Sequence, residues 1–170
     1  MARWKREDDF DAIVQAKAMK YAVPAALIKG VIAQESAFKP EALREEPQLR
    51  TRSRGLMQLL ETTANALGYR GPTVELHDPE KNIELGTKLL AQNLEQANGN
   101  WDVALSAYNG GFSRIRPWDA KRKSDGRMIN EDYVRRVRGN WEYFRFGVVP
   151  STIGLVLIAA LSWFAFRQGW

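Results

Sequence analysis

Residues 24–36 read Pro-Ala-Ala-Leu-Ile-Lys-Gly-Val-Ile-Ala-Gln-Glu-Ser. Proline suits the start of a helix, and behind Pro24 the apolar residues Leu27, Ile28, Val31 and Ile32 return at helical spacing. Glu35 follows Ile28 by seven positions and Ile32 by three, which puts its carboxyl on the face those side chains occupy. Burial among apolar groups disfavours the charged form of a carboxyl and lets it hold its proton near neutral pH. A general acid that protonates a leaving oxygen needs that property. An isolated glutamate near a helix end is more often a solvated surface charge, so this helix alone assigns the residue no task.

Outward from this stretch the helical period continues. Phe10, Ile13, Val14, Ala18 and Tyr21 predict a preceding helix behind the acidic turn Glu7-Asp8-Asp9. The charged stretch from Phe38 to Arg54, with two prolines, reads as an exposed loop. Leu56–Leu67 is a short helix candidate closed by Gly68. Asp78 is a natural N-cap with Pro79 at the first helical position and Gly99 past the end. Trp101, Ala104, Leu105 and Tyr108 form one face of a helix stopping at Gly110-Gly111. Ser113–Asn130 is a polar, basic loop or lid, and Val134, Val137, Trp141 and Phe144 mark a final amphipathic helix. No β-alternation and no internal repeat is visible, so the expected fold class is all-α.

The chain has 170 residues, 25 Lys and Arg against 20 Asp and Glu, one histidine and no cysteine. That length can bury the core of one domain and still carry an appendage. A disulfide scaffold, a thiolate metal site, a cysteine nucleophile and a His-rich zinc site are all excluded, and no metal or other cofactor is expected. With 45% apolar and 26% charged residues the composition is that of a folded chain.

One composition break stands out. Phe146–Phe166, between Arg145 and Arg167, is 21 residues without a charge. As a helix rising about 1.5 Å per residue it spans about 31 Å, close to the hydrocarbon thickness of a bilayer. Trp141, Tyr143 and Phe144 precede it, and Trp163 and Trp170 lie toward its end, where interfacial aromatics belong. A core helix is the competing reading, but a small domain rarely owns a helix apolar on every face. The beginning of the chain, MARWKREDDF, carries no apolar stretch of signal-peptide length. The expected organisation is an N-terminal helix (1–21) packed on a globular domain (22–145), a single transmembrane helix (146–166) and a short tail (167–170).

Three later segments change the weight on Glu35. They are Gly55-Leu56-Met57-Gln58, Ala107-Tyr108-Asn109-Gly110-Gly111 and Asp132-Tyr133-Val134. Following Glu35-Ser36 in that order, they make the chain resemble the soluble lytic transglycosylase family, relatives of goose-type lysozyme. Asp78-Pro79, Asn82-Ile83 and Gly86 look like the family's DPxxNIxxG helix, and the resemblance runs from Ala22 to Val137. It implies a lysozyme-like, α-helical domain that cleaves the β-1,4 bond between N-acetylmuramic acid and N-acetylglucosamine. Glu35 would donate a proton to the leaving oxygen. As a carboxylate it would then help the muramic 6-hydroxyl attack the anomeric carbon, leaving a 1,6-anhydro product.

The resemblance also implies the substrate-binding set Ser36, Gly55, Met57, Gln58, Tyr108, Asn109 and Tyr133. Gly55 would allow close backbone approach beside the cleft, and the Gln58 amide would meet sugar N-acetyl or hydroxyl groups. Met57 reads equally as core filler, Tyr108 as a packing residue on the Trp101 face, and Ser36 as a local backbone cap. Tyr133 would lie near Glu35. Glu41, Glu45, Glu46 and Glu61 sit in polar context and read as solvated charges, and His77 reads as structural or solvated. Two departures from the family pattern bear on substrate subsites. The compact loop before GLMQ is replaced by the longer, charged LREEPQLRTRSR, and Glu61 stands where a proline is usual.

From Ser113 to Arg145 there are ten Lys and Arg against five Asp and Glu. Anionic lipid headgroups or acidic wall polymer are the partners this charge suits, and nucleic acid is not expected, since no nucleic-acid motif accompanies it. Arg135, Arg136, Arg138 and Arg145 precede the apolar segment and Arg167 follows it, which biases the N-terminal domain toward the cytoplasm. A wall-cleaving domain so oriented makes sense in a bacteriophage particle, where a virion membrane or ejected protein delivers it to the wall. Expected partners are therefore peptidoglycan glycan strands, a lipid bilayer through Phe146–Phe166, and other virion or secretion-channel proteins. A secretion- or conjugation-associated transglycosylase, a non-catalytic wall-binding virion protein and a hydrolytic muramidase are the alternatives.

Overall fold

The computed structural model describes residues 3–111 and 130–147. The described residues form six α-helices and a small sheet: α1 (Asp11–Tyr21), α2 (Ala25–Ser36), β1 (Leu43–Glu46), β2 (Thr51–Arg54), β3 (Leu59–Leu60), α3 (Glu61–Ala66), α4 (Pro79–Gln96), α5 (Trp101–Gly110) and α6 (Glu131–Phe146). Short 3₁₀ turns cover Pro47–Leu49 and Thr73–His77. The fold is mostly helical.

The expected all-α class needs correcting at one place. The segment read as an exposed loop forms an antiparallel sheet in the order β1-β2-β3, with Leu43 opposite Arg54 and Ser53 opposite Leu60. Its first two strands, LREE and TRSR, bury only Ser53, so no apolar alternation marks them. Backbone pairing and the cross-strand ion pair of Arg52 with Glu45, 2.6 Å apart, hold them together. The helix expected over Leu56–Leu67 begins only at Glu61, because Gly55 (φ 77°) and Gln58 (φ 48°) turn the chain into β3 first.

Elsewhere the helical periods and caps hold. Asp78 Oδ1 accepts from the Lys81 N–H at 2.9 Å, and Asn100 Oδ1 accepts from those of Asp102 and Val103, so α4 and α5 each start on a side-chain cap. Leu27, Ile28, Val31 and Ile32 of α2 are fully buried, each contributing about 1.5–3 kcal/mol. They share one core with Phe10 and Val14, Leu90 of α4, Leu105 of α5, and Tyr133, Val134 and Val137 of α6. Gly30 lets α6 come close, since a Cβ there would lie 3.0 Å from the Trp141 nitrogen. Gly147, with φ 69°, caps α6 at its end. Among the described residues no helix is long and apolar enough to cross a membrane. The expected transmembrane segment lies outside them apart from Phe146 and Gly147, as does the expected lid from Ser113 apart from Asn130.

Asn82, wholly buried on α4, ties the sheet to the helices. Its Oδ1 accepts from the Met57 N–H at 2.7 Å, and its Nδ2 donates to the carbonyls of Arg54 (2.9 Å) and Leu76 (2.7 Å). A Cβ at Gly55 would collide with this same amide and with the Leu76 carbonyl. Asn82→Ala would strand a buried N–H and two carbonyls. It should destabilise the domain by at least about 1–3 kcal/mol, the cost of one such group, as read by denaturant unfolding.

A second tie joins α1 to α4, where Glu84 pairs with the Lys17 ammonium 2.8 Å away and accepts from Lys20 and Tyr21. Partial burial pushes the Glu84 carboxyl up, but those hydrogen bonds outweigh it and bring it from 4.5 down to about 2. A depressed folded-state value stabilises the protein above the unfolded value, and that stability drains away as pH falls toward the folded one. Glu84→Gln should therefore lower the melting temperature at neutral pH, and the difference from wild type should shrink between about pH 5 and pH 2.

Candidate active site

Glu35 is the next-to-last residue of α2, which ends where Ala37 (φ 51°) and Phe38 (φ 63°) enter the left-handed region. Phe38 is driven there by burial: it is fully enclosed and packs against Trp4 and Phe144. The Glu35 side chain is 6% exposed. The phenol of Tyr133, in the first turn of α6, donates to Glu35 Oε1 at 2.7 Å. Arg44 Nη2 stands 3.9 Å from Oε2.

Burial pushes the Glu35 carboxyl above its ordinary value. The Tyr133 hydrogen bond and the Arg44 charge pull it back, while the Glu46 carboxylate adds to the upward push. Burial also holds the phenols of Tyr108 and Tyr133 well above the ordinary tyrosine range, with the Glu35 charge acting in the same direction. Tyr133 is thus a donor at any physiological pH. Its O–H engages Oε1, while Oε2 faces Arg44.

Glu35 forms part of an open cleft between the sheet and the helices, together with Arg44 and Glu46 of β1, Ser53 of β2, Gln58, and Tyr108 and Asn109 of α5. Asn109 is exposed, with Asn130 Nδ2 3.4 Å from its Oδ1. The Tyr108 hydroxyl donates to the Met57 carbonyl at 2.8 Å, which fixes the ring beside the cleft. Ser36 Oγ donates to the Ile32 carbonyl at 3.2 Å, the backbone-cap arrangement. The Met57 side chain is fully buried against Gly86, where a Cβ would collide with it.

Two expected contacts are placed differently. The close approach at Gly55 is to Asn82 and Leu76, away from the cleft. The Gln58 amide, expected to meet a sugar, is already engaged. Its Nε2 donates to the carbonyls of Ala42 (3.1 Å) and Gly55 (3.0 Å), and its Oε1 accepts from Ser53 Oγ at 2.9 Å. These bonds hold Gln58 in its left-handed turn, so it acts as a bracket for the cleft wall. His77 is structural, its Nδ1 lying 3.0 Å from the Pro40 carbonyl.

Glu46 was expected to be a solvated charge, yet it lines the cleft with Arg44, and neither was anticipated as a site residue. On a strand, residues two apart share a face, so Arg44 and Glu46 point together once LREE is recognised as β1. Among the described residues no three His, Asp or Glu side chains gather in a way that would hold a metal ion.

The Transglycosylase SLT domain family matches residues 12–130, from α1 to the residue before α6. A transglycosylase of Enterobacteria phage PRD1 is 34% identical over 111 residues, which are 65% of this chain and 38% of the phage protein. The soluble lytic murein transglycosylase of Escherichia coli K12 is 33% identical over 160 residues, covering 83% of this chain and 23% of that enzyme. Among solved structures, an inactive mutant of the lytic transglycosylase Slt from Pseudomonas aeruginosa aligns with a TM-score of 0.69 at 26% identity, over 84% of this chain and 24% of that one. The chain thus spans well under half the length of these relatives. With a family match that takes in α1 through α5 and all three strands, the chain belongs to the Transglycosylase SLT domain family.

Proposed function

We propose that this protein is a peptidoglycan lytic transglycosylase in which Glu35 is the acid and then the base. The observation that carries the reading is a carboxyl almost wholly withdrawn from water, yet on the wall of an open cleft, with a tyrosine hydroxyl holding one of its oxygens. In the proposed step the proton on Glu35 Oε2 passes to the glycosidic oxygen as the bond to the muramic anomeric carbon breaks. The resulting carboxylate takes the proton of the muramic 6-hydroxyl, and that oxygen closes on the same carbon to give the 1,6-anhydro product. One carboxyl thus completes a cycle and regains its proton. Tyr133 would keep the acid oriented, and the Tyr108 ring and Asn109 would line the sugar site. Gln58 would form part of that wall, and Ser36, Gly55 and Met57 would support it from behind.

The proposed organisation keeps α1, within residues 1–21, packed on a catalytic unit of 22–145, followed by a bilayer segment over 146–166 and a short tail. An uncharged run long enough to span a bilayer, placed directly after the arginine-bearing α6, supports the anchor. Similarity to a phage transglycosylase supports a virion setting, in which the enzyme opens the wall locally for genome delivery. The full chain should therefore sediment with membranes, and a chain ending at Gly147 should stay in the supernatant and still cleave peptidoglycan. If the shortened chain unfolds, the segment belongs to the core.

Glu35→Gln tests the chemistry. It should abolish release of 1,6-anhydro muropeptides, read by mass spectrometry, and leave the helical spectrum unchanged. Activity within about tenfold of wild type would place the acid elsewhere, since a positioned general acid contributes about 10²–10⁴ in rate. Reducing ends in place of anhydro ends would mark a hydrolytic muramidase. A carboxyl raised by burial is harmless below its unfolded pKa, becomes a growing penalty as pH climbs, and levels off past the folded value. The variant should accordingly be neutral or stabilising at pH 7, with the gain shrinking at acid pH.

A further inference from the structure

Arg44 and Glu46 stand outside the proton path just described, yet both line the cleft beside Glu35. Arg44 Nε donates to Glu46 Oε1 at 2.8 Å, and Ser53 Oγ also reaches that oxygen, at 3.1 Å. The same guanidinium places Nη2 3.9 Å from Glu35 Oε2, outside hydrogen-bond reach. Among the described residues its Nη hydrogens make no hydrogen bond. One cation therefore faces two carboxyls, bonded to the first and a short step from the second. The Arg44 side chain is 54% exposed, so it has room to move where Glu35 has none.

We propose that Arg44 is a positioning residue, a mobile counter-ion shared by two carboxyls: it rests on Glu46 while Glu35 is protonated and closes onto Glu35 Oε2 once that oxygen has given up its proton. The proposal rests on Glu35 being the acid. Protonated, Glu35 is neutral and the Arg44–Glu46 pair balances itself. Deprotonated, Glu35 is a charge shut away from water, and such a charge without a partner is strongly destabilising. Tyr133 serves Oε1 only. The oxygen left anionic is the one facing Arg44, and a movement of about 1 Å brings Nη2 to the distance of a charge-assisted hydrogen bond. When the muramic 6-hydroxyl returns a proton to Glu35, Arg44 goes back to Glu46. The guanidinium keeps its own protons throughout, so the only proton moved is the one the reaction moves.

The groups facing Glu35 are Tyr133 of α6, Tyr108 of α5, and Arg44 and Glu46 of β1. The two tyrosines keep their protons, so the pair on β1 sets the charge that Glu35 experiences. Removing the cation and removing the anion must then act with opposite sign. In the full chain in detergent, the pH profile of kcat on peptidoglycan would be recorded alongside a carboxyl NMR titration of Glu35. Arg44→Gln should move the alkaline limb and the Glu35 titration up by about one unit, the low end of what an opposite charge within about 4–6 Å supplies. It should also lower kcat more than it changes KM. Glu46→Gln should move both readouts down, because it removes a repelling charge and frees the cation for Glu35. Arg44→Lys, which keeps the charge, should return the profile toward wild type.

Shifts of the same sign in the two glutamine variants, or no shift in folded variants, would overturn the counter-ion role while leaving an inactive Glu35→Gln to support the acid. An active Glu35→Gln would overturn both.

Discussion

Tyr133 reaches Glu35 because α2 and α6 approach backbone to backbone at Gly30. Any side chain there would press on the backbone of α6 at Val137 and Trp141, and Asn140 seals the contact by donating to the Gly30 carbonyl at 3.3 Å. One turn of helix away from that crossing, the acid at the end of α2 and the phenol at the start of α6 come within 2.7 Å. The desolvation of Glu35 and the orientation of its two oxygens both follow from this packing. The aromatic cluster of Trp4, Phe38, Tyr143 and Phe144 closes the far side, and Glu7 fastens the N-terminal turn to it by accepting from the Tyr143 hydroxyl at 3.0 Å.

The Gly55–Gln58 turn beside the cleft is braced on α4. Four residues of its opening motif have separate mechanical tasks: Asp78 caps the helix, Pro79 starts it, Asn82 binds three segments of main chain, and Gly86 makes room for Met57. Met57 in turn receives the Tyr108 hydroxyl on its carbonyl, so α4, the Gly55–Gln58 turn and α5 are linked in series. The GLMQ and AYNGG segments are therefore joined to one another more than to solvent. This explains why most of their polar atoms are turned inward, although Gln58, Tyr108 and Asn109 line the cleft.

Much of this was legible in the chain, and the misses have physical causes. Helices reveal themselves because burying one stripe demands a repeating apolar residue, as in Leu27, Ile28, Val31 and Ile32. The sheet had no such signature: a strand pair that buries only Ser53 is held by main-chain bonds and by Arg52 with Glu45, and neither leaves an apolar period. Missing β1 also hid Arg44 and Glu46, whose shared face exists only when the backbone is extended. The internal hydrogen bonds of Gln58 were not legible for a different reason. A side-chain amide looks the same in sequence whether it faces a sugar or two carbonyls of its own loop, and the left-handed turn at Gln58 decides which.

By itself the sequence determined the helical segments, the burial of Glu35 on the apolar stripe of its helix, and the order of motifs that carries the family. These are properties of neighbours along the chain, where periodicity and capping act within a few residues. Only the tertiary structure decided which oxygen of Glu35 meets Tyr133, which wall polar groups face the cleft, and that one arginine stands between two carboxyls. Those depend on contacts between residues far apart in sequence, such as Tyr133 with Glu35 or Asn82 with Met57, whose geometry is set by how the elements pack.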